Sequence, residues 1–123
     1  MAGSGRLFIQ PIRDVTVVNF ADASILDAQQ VQQIGEELYD LVDNKARRKI
    51  VLDFEKVRFL SSSALGVLIA LRKKADAIKG RVVLCNLRNE LREVFKITNL
   101  EKQFEFRDNE EQALGVFGVT TAG

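Results

Sequence analysis

The sequence predicts an α/β fold in one domain, with a mixed, mostly parallel sheet flanked by helices. The chain has 123 residues, of which 46% are apolar, enough for one core without disulfides or a metal. Short apolar runs alternate with amphipathic segments, a pattern typical of parallel strands covered by helices. The expected order is β-β-α-β-α-β-α-β-α over a single domain spanning residues 1–123, with flexible ends at about 1–5 and 119–123.

The first part of the chain is predicted to form a hairpin followed by a helix. Leu7–Ile9 and Val15–Phe20 are rich in β-branched and aromatic residues, and a turn is expected between them at Pro11–Asp14. Ser24 with Asp27 three residues later resembles a capping box, which marks the start of an amphipathic helix. These signals place two strands before the first helix.

The middle of the chain contains two strands that are predicted to be buried on both faces. The first helix is expected to end near Asn44, ahead of the apolar run Lys49–Phe54, and Arg81–Cys85 is a second such run. The apolar helix between them is expected to end in a basic last turn and a glycine stop at Lys79–Gly80. The remaining elements are a helix, a short edge strand and a last helix, at Leu87–Thr98, Phe104–Phe106 and Asp108–Phe117.

Three consecutive serines, Ser61–Ser63, stand just before the apolar helix. Serine is favoured at a helix start because its side-chain oxygen accepts hydrogen bonds from unpaired first-turn amides. The positive end of the helix dipole at the same place tolerates an added phosphate. One serine suffices as a cap, so the other hydroxyls favour an accessible site of reversible phosphorylation.

Asp53 and Gly66 are further candidates near the serines. Functional loops of open α/β sheets gather at the carboxyl ends of strands, where Asp53 is expected. Its carboxylate either orients a serine hydroxyl or a loop amide, or is simply solvated, and the residues favour neither interpretation. Glycine at position 66 costs the helix roughly 0.5–1 kcal/mol relative to alanine, which indicates close approach of other atoms. Packing of the helix on the sheet is slightly favoured over contact with a partner.

Composition argues against several classes of function. The chain has 18 basic and 17 acidic residues, and a net charge of +1 disfavours a dedicated nucleic-acid binder. Without histidine, neither a Ser-His-Asp nor a Cys-His arrangement can form. The sequence also lacks a phosphate-binding loop motif and a metal-ligand cluster. We therefore expect no enzymatic activity, no catalytic residues, no cofactor and no metal.

Cysteine usage and hydropathy predict a cytoplasmic protein without membrane insertion. The single cysteine, Cys85, lies in an apolar strand and is expected to be a buried thiol rather than a nucleophile. One cysteine cannot form a disulfide within the chain, which fits a reducing compartment. The N-terminal residues contain no apolar signal core. The longest uncharged stretch, Phe59–Leu71, is shorter than the roughly 20 residues needed to cross a bilayer.

The segment from Ile50 to Leu68 resembles the core of the STAS domain, as found in bacterial anti-sigma-factor antagonists. That family typically has an apolar strand ending in Asp-Leu, a short turn, and Asp-Ser-Ser/Thr-Gly-Leu-Gly before an apolar helix. The corresponding residues here are Ile50-Val51-Leu52-Asp53-Phe54 and Ser61-Ser62-Ser63-Ala64-Leu65-Gly66. The element order and a later helix containing Val94-Phe95 extend the resemblance over most of the chain.

The resemblance implies a partner-switching cycle in which Ser62 is phosphorylated, with Ser63 and Ser61 as alternatives. In that family the unphosphorylated protein binds an anti-sigma-factor serine/threonine kinase that otherwise sequesters a sigma factor. The kinase uses ATP to phosphorylate and so release the antagonist, and a metal-dependent serine phosphatase resets it. The expected partner-binding residues are Asp22, Ser24, Asp53, Ser61, Ser63, Ala64 and Gly66.

The chain departs from the family pattern in three places. Ser61 replaces the usual aspartate, Ala64 replaces the usual glycine, and Asp22–Ile25 stands near the place of a Gly-Glu-Leu-Asp segment. An alternative function is a STAS scaffold or accessory subunit of a stress-signalling complex or lipid transporter, without sigma control. A nucleotide-binding or hydrolytic protein is a third hypothesis, from another class.

Overall fold

A computed structural model describes residues 6–120 of the chain. Within these residues, seven strands form two sheets. In chain order they are β1 (Leu7–Ile12), β2 (Val15–Phe20), β3 (Ser24–Ile25), β4 (Lys49–Asp53), β5 (Phe59–Leu60), β6 (Arg81–Cys85) and β7 (Glu105–Arg107). The main sheet has the order β1-β2-β4-β6-β7, with β1 antiparallel to β2 and the other neighbours parallel. β3 and β5 form a separate parallel pair. The predicted mixed, mostly parallel sheet is confirmed, and the β3–β5 pair is an addition to the expected order.

Helices cover both faces of the main sheet. They are α1 (Ala28–Asp43), α2 (Ser62–Ala77), α3 (Asn89–Ile97) and α4 (Glu110–Val116), with a 3-10 turn at Glu101–Gln103. The buried residues of α1, α2 and α3 share one core cluster with one face of the sheet. Those of α4 form a second cluster with the opposite face. The four helices follow the predicted order along the chain, and they flank the sheet as expected.

The central strands β4 and β6 are buried on both faces because successive side chains of a strand point to opposite sides. On β4, Ile50 and Leu52 pack under α1 to α3, whereas Val51 packs under α4. β6 repeats this alternation. The two-sided burial explains why both strands are continuous apolar runs in the sequence.

The hairpin turn is shorter than predicted. The predicted hairpin is confirmed, but β1 continues through Pro11 to Ile12, so the turn consists of Arg13 and Asp14 alone and not of Pro11–Asp14. Proline is tolerated there because β1 is an edge strand, whose outward amides have no partner to lose.

The cap of α1 is also placed differently. Asp27 is the N-cap: its carboxylate accepts a hydrogen bond from Gln30 N at 3.1 Å, and Gln30 Oε1 accepts one from Asp27 N at 3.4 Å. The capping box is therefore Asp27 with Gln30, and the predicted pair of Ser24 with Asp27 is wrong. Ser24 instead lies in β3.

The expected glycine stop after α2 is occupied by lysine. Lys79 adopts a left-handed conformation with φ of 62°, and Gly80 N donates to Ala75 O at 2.7 Å. Gly80 is needed for another reason, since a Cβ there would lie 2.7 Å from the backbone oxygen of Arg48. Close approach of two chain segments, rather than a left-handed φ, thus requires this glycine.

The predicted flexible ends fall largely outside the described residues. Residues 1–5 and 121–123 are not described, but Val119 is buried in the cluster under α4. Across residues 6–120, no helix has both the length and the apolar character needed to cross a membrane.

Leu68→Ala should lower the free energy of unfolding by about 2–5 kcal/mol, because the Leu68 side chain on α2 is buried in the main core cluster. Chemical denaturation of the wild-type and variant proteins measures this difference. Ile97→Ala is a matched control on another helix, and its 80% exposed side chain should leave stability within about 0.5 kcal/mol. A loss below about 1 kcal/mol for Leu68→Ala would contradict the assigned buried face of α2.

Candidate functional site

Two loops meet beyond the carboxyl ends of β2 and β4, and the β3–β5 pair holds them together. Arg58 N donates to Ala23 O at 2.7 Å, and Ser61 N donates to Ile25 O at 3.0 Å. These backbone bonds fix the start of α2 against the loop that precedes α1. The predicted partner-binding segment Asp22–Ile25 consequently lies beside the serines.

The three serines have different roles at the start of α2. Ser61 is the N-cap, with φ of −77° and ψ of 166°, and its Oγ accepts a hydrogen bond from Ala64 N at 3.1 Å. Ser62 and Ser63 are the first two residues of the helix, and both are exposed. Since Ser61 supplies the cap, the prediction that Ser62 lies exposed at the helix start is confirmed.

The helix start also favours added negative charge. The first turn of α2 carries no acidic side chain, so no carboxylate within the helix offsets the positive end of its dipole. A phosphate at Ser62 or Ser63 would lie against this end, where first-turn amides point at bound anions. The site therefore suits a phosphoserine without any change of fold.

Gly66 lies one turn beyond Ser62 on the same side of α2, because residues four apart are neighbours on a helix surface. Gly66 is exposed, and a Cβ built on it would have no other atom within 4 Å. The favoured interpretation of tight packing on the sheet is therefore wrong. Gly66 instead leaves a smooth, solvent-facing stretch of helix next to Ser62.

Leu26 and Phe59 expose apolar surface beside the serines. Ile25 and Leu60 point inward from the β3–β5 pair, so the residues that alternate with them point outward. Leu26 is 55% exposed and Phe59 is 57% exposed. Exposed apolar side chains that cluster near one another are typical of contact surfaces. We call Leu26, Phe59, Ser62, Ser63 and Gly66 the serine face.

The sequence interpretation missed Leu26 and Phe59 as candidate site residues. Each strand of the β3–β5 pair is only two residues long, which is too short for a period-two pattern to be detected in the sequence. Their outward direction depends on pairing between segments that lie far apart in the chain.

Asp22 and Ser24 belong to a loop organised by Gln30. The Asp22 carboxylate accepts hydrogen bonds from Arg6 Nη1 at 3.2 Å and from Gln30 Nε2 at 2.8 Å. The buried Gln30 also donates from Nε2 to the Ser24 carbonyl oxygen at 2.9 Å. Asp22 thus shapes the loop, whereas Ser24 itself is exposed. The Asp27-x-x-Gln30 spacing was the available sequence signal for this role of Gln30.

Two predicted partner-binding residues are buried and cannot present their side chains to a partner. Ala64 packs in the core shared by α1 to α3. Asp53 is 4% exposed, and its carboxylate accepts from Glu55 N at 2.9 Å and from Asn86 Nδ2 at 3.1 Å. The solvated interpretation of Asp53 is therefore wrong. Asp53 orients a loop amide, and the structure does not bring it to a serine hydroxyl.

Asp53 also hydrogen-bonds with Glu110 at the start of α4. Burial, followed by the hydrogen bond to Asp53 and the charges of Asp53 and Glu55, raises the pKa of Glu110 to about 7, against an opposing hydrogen bond from Asn19. Near neutral pH a protonated Glu110 can therefore donate to the Asp53 carboxylate. This carboxyl pair ties the start of α4 to the end of β4.

Cys85 is buried, as predicted, and it lies opposite Asp53 on the neighbouring strand. Burial and the neighbouring negative charges, with Asp53 first among them, raise the pKa of its thiol. The thiol consequently stays protonated and unreactive at neutral pH.

Comparisons with known proteins agree with the fold. A profile of the STAS domain family matches residues 9–113. BtrV of Bordetella bronchiseptica, a candidate anti-sigma factor antagonist, is 32% identical over 101 residues, which cover 82% of this chain and 79% of BtrV. The chain belongs to the STAS domain family.

Two structures of SpoIIAA show the same fold. The structure of the unphosphorylated form, described as an anti-sigma factor antagonist, has a TM-score of 0.72 and 25% identity, and covers 92% of this chain and 99% of SpoIIAA. The phosphorylated form of Bacillus SpoIIAA has a TM-score of 0.70 and 24% identity, over 90% of this chain and 98% of SpoIIAA. Within the family, the chain therefore resembles anti-sigma factor antagonists.

The wild-type protein should lose stability as the pH rises from about 4.5 through about 7, and Glu110→Gln should abolish this dependence. The pKa of Glu110 is higher in the folded state than its ordinary value, so the folded protein binds this proton more tightly than the unfolded chain. Stability must then fall as the proton is lost with rising pH. Urea denaturation of both proteins at several pH values measures the effect.

Glu111→Gln is the matched control, because Glu111 is the next residue of α4 and is exposed. This variant should keep the pH dependence of the wild-type protein, whereas Glu110→Gln should gain in relative stability toward pH 8. Parallel stability curves for Glu110→Gln and the wild-type protein would disprove the raised pKa.

Proposed function

We propose that this protein is an anti-sigma-factor antagonist whose phosphorylation at Ser62 controls its partners. In this proposal, the unphosphorylated protein binds an anti-sigma-factor serine/threonine kinase and releases it once phosphorylated. The observation that carries the proposal is the exposed Ser62 hydroxyl at the start of α2, next to a cap that Ser61 supplies. The descriptions of BtrV and SpoIIAA as antagonists, and of SpoIIAA in two phosphorylation states, support it.

Ser62 is preferred over its neighbours for structural reasons. The Ser61 hydroxyl already accepts a hydrogen bond from Ala64 N, and Ser61 is half-buried. Ser63 is exposed and remains the alternative acceptor of phosphate. The resemblance to the family, in which the serine at this place of the motif is phosphorylated, supports Ser62 over Ser63.

Two of the three departures from the family pattern lie at the start of α2, and they leave the helix start intact. Ser61 takes the usual place of aspartate and still accepts a first-turn hydrogen bond, as either residue type can. Ala64 takes the usual place of glycine, and its small side chain is accommodated in the core. Neither replacement covers Ser62, so both are compatible with phosphorylation.

Phosphorylation would act on the complex rather than on the fold. A phosphate adds about −1.5 to −2 charges at neutral pH, and a helix N-terminus stabilises such charge by about 0.3–1 kcal/mol. Binding a partner against the exposed Leu26 and Phe59 would bury the phosphate beside apolar surface, where its desolvation is unfavourable. The modified protein should therefore stay folded while its complex dissociates.

The rest of the proposed cycle lies with the partners. The kinase transfers phosphate from ATP to the serine, and a metal-dependent serine phosphatase removes it. This protein contributes the modified surface and catalyses neither step. The chain contains no histidine, which leaves it without the most common general base. A cytoplasmic location follows from this assignment, because ATP-dependent kinases and sigma factors act there.

Ser62→Ala should remain bound to the cognate kinase and resist modification, whereas Ser62→Asp should fold normally but bind at least tenfold more weakly, a loss of about 1.4 kcal/mol. The aspartate places a negative charge where the partner is expected to pack. Isothermal titration calorimetry with the kinase measures the affinities, and the alanine variant can serve to capture the kinase from the native cytoplasm.

Ser61→Asp is the matched control for the added charge. It introduces the same charge one residue earlier and keeps the cap, so it should bind more tightly than Ser62→Asp. Mass spectrometry after incubation of the wild-type protein with the kinase and ATP locates the phosphate. If none of the three serines is modified, the switch is refuted and the scaffold hypothesis takes its place.

Gly66→Ala should raise the free energy of unfolding by about 0.5–1 kcal/mol and, at the same time, weaken kinase binding. The first effect follows because Gly66 is exposed within a helix and a Cβ meets no other atom there. The second follows if the kinase packs closely on the serine face. Denaturation and calorimetry measure the two effects, and unchanged affinity would exclude Gly66 from the interface.

A further inference from the structure

The end of the sheet opposite the serines carries a cluster of cations. Because β2, β4 and β6 run parallel, this end of the sheet contains the amino ends of β4 and β6 and the β1–β2 turn. The carboxyl ends of α1 and α2 lie there too, since these helices precede β4 and β6. We call this cluster the basic end, and it comprises Arg13, Arg47, Arg48, Lys49, Lys79 and Arg81.

Only part of this charge is neutralised within the described chain. Lys49 forms an ion pair with Asp14, and Arg81 forms a two-point ion pair with Glu105. Among residues 6–120, no ion pair involves the other four cations, which are Arg13, Arg47, Arg48 and Lys79. All four are exposed. The basic end therefore keeps positive charge for a partner outside the chain.

Four of the six cations line an open depression of about 310 Å³, together with two apolar residues. The lining cations are Arg48, Lys49, Lys79 and Arg81, and the apolar residues are Val116 and Phe117. The Arg81 guanidinium lies over the Phe117 ring at 5.7 Å, which holds the arginine and the ring in fixed relation. The depression thus combines two unpaired cations with a positioned aromatic surface.

Two of the unpaired cations occupy backbone positions that favour glycine. Lys79 has a φ of 62° and Arg13 a φ of 56°, both in the left-handed region. Cations near helix C-termini are often explained by the helix dipole, but Arg13 lies in a hairpin turn and Arg81 in a strand. Residues that break a local rule are expected where the side chain has a function.

We propose that the basic end is a second docking surface, for an acidic and partly apolar segment of a partner protein. This surface is distinct from the serine face. The five residues of β4 separate the two ends of the sheet by roughly 16 Å, at about 3.3 Å per residue. A partner at the basic end can therefore bind while the serine face is occupied.

A protein segment fits the basic end better than other anions. The depression is open and lies at the lower limit of the roughly 300–1,000 Å³ typical of small-molecule pockets. Its lining residues Val116 and Phe117 suit apolar side chains that alternate with carboxylates, and arginine is enriched at protein interfaces. The net charge of +1 disfavours an extended polyanion such as nucleic acid.

The test uses a fluorescein-labelled peptide of alternating glutamate, leucine and phenylalanine, and a matched peptide with lysine in place of glutamate. Fluorescence anisotropy should show binding of the acidic peptide alone. The double variant Arg48→Gln with Lys79→Gly should weaken binding at least about fivefold. Glycine suits the left-handed backbone at position 79, so this variant should fold at least as well as the wild-type protein.

Nitrogen-15 NMR distinguishes this surface from the serine face. The acidic peptide should shift the amide signals of Arg48, Lys79, Arg81 and Phe117 and leave those of Ser62 and Ser63 in place. Ser62→Asp should leave peptide affinity unchanged, so failure of the kinase switch and failure of this docking surface are separate results. Absence of peptide binding at millimolar concentration, or shifts centred elsewhere, would overturn the proposal. Tighter binding to phosphatidylserine vesicles or to a single-stranded oligonucleotide would also overturn it, in favour of a membrane or nucleic-acid surface.

Discussion

Two-sided burial of β4 is the constraint on which the rest of the structure depends. Ile50, Val51 and Leu52 are completely buried, with alternate side chains under α1 to α3 and under α4. A strand covered in this way can present groups to solvent only where it begins and ends. The exposed serines follow its carboxyl end, and the cations of the basic end surround its amino end. The two proposed surfaces are therefore separated by the length of one rigid strand.

Beyond the carboxyl end of β4, local hydrogen bonding distinguishes a capping hydroxyl from exposed hydroxyls. Ser61 is held by its backbone bond to Ile25 and by its side-chain bond to Ala64 N, so it is committed to starting the helix. Ser62 is then the first helical residue, with its hydroxyl free of the capping role. Had the helix begun one residue later, Ser62 would itself be the cap, and its modification would disturb the helix start.

The carboxyl pair connects this end of β4 to the opposite face of the sheet. Asp53 points toward Asn86 and Glu110 rather than toward the serines, so its position keeps the loop after β4 attached to α4. The neutral form of Glu110 lets this half-buried carboxyl group approach the buried Asp53 carboxylate without full charge repulsion. Asp53 thus contributes to the serine face indirectly, by orienting the Glu55 amide at the start of the loop that leads to Phe59.

The sequence by itself determined the order of the main strands and helices and placed three serines at the start of the α2 helix. Hydrophobic patterning is a local property. The buried strands β4 and β6 are visible as continuous apolar runs, and the longer helices are visible from apolar residues at helical spacing. The serines before the α2 helix were equally visible, because capping depends on neighbours only three residues away. The local capping signal did not identify the N-cap of α1, because Ser24 and Asp27 both have side chains that can cap a helix.

Only the tertiary structure decided which side chains face solvent at the two ends of β4. The outward direction of Leu26 and Phe59 depends on the pairing of β3 with β5, which joins segments more than thirty residues apart in the chain. The burial of Asp53 depends on α4, whose first residue Glu110 is distant in sequence, and the requirement for Gly80 depends on the backbone of Arg48. No periodicity encodes such contacts, because each arises from the meeting of separate segments and not from the spacing of residues within one.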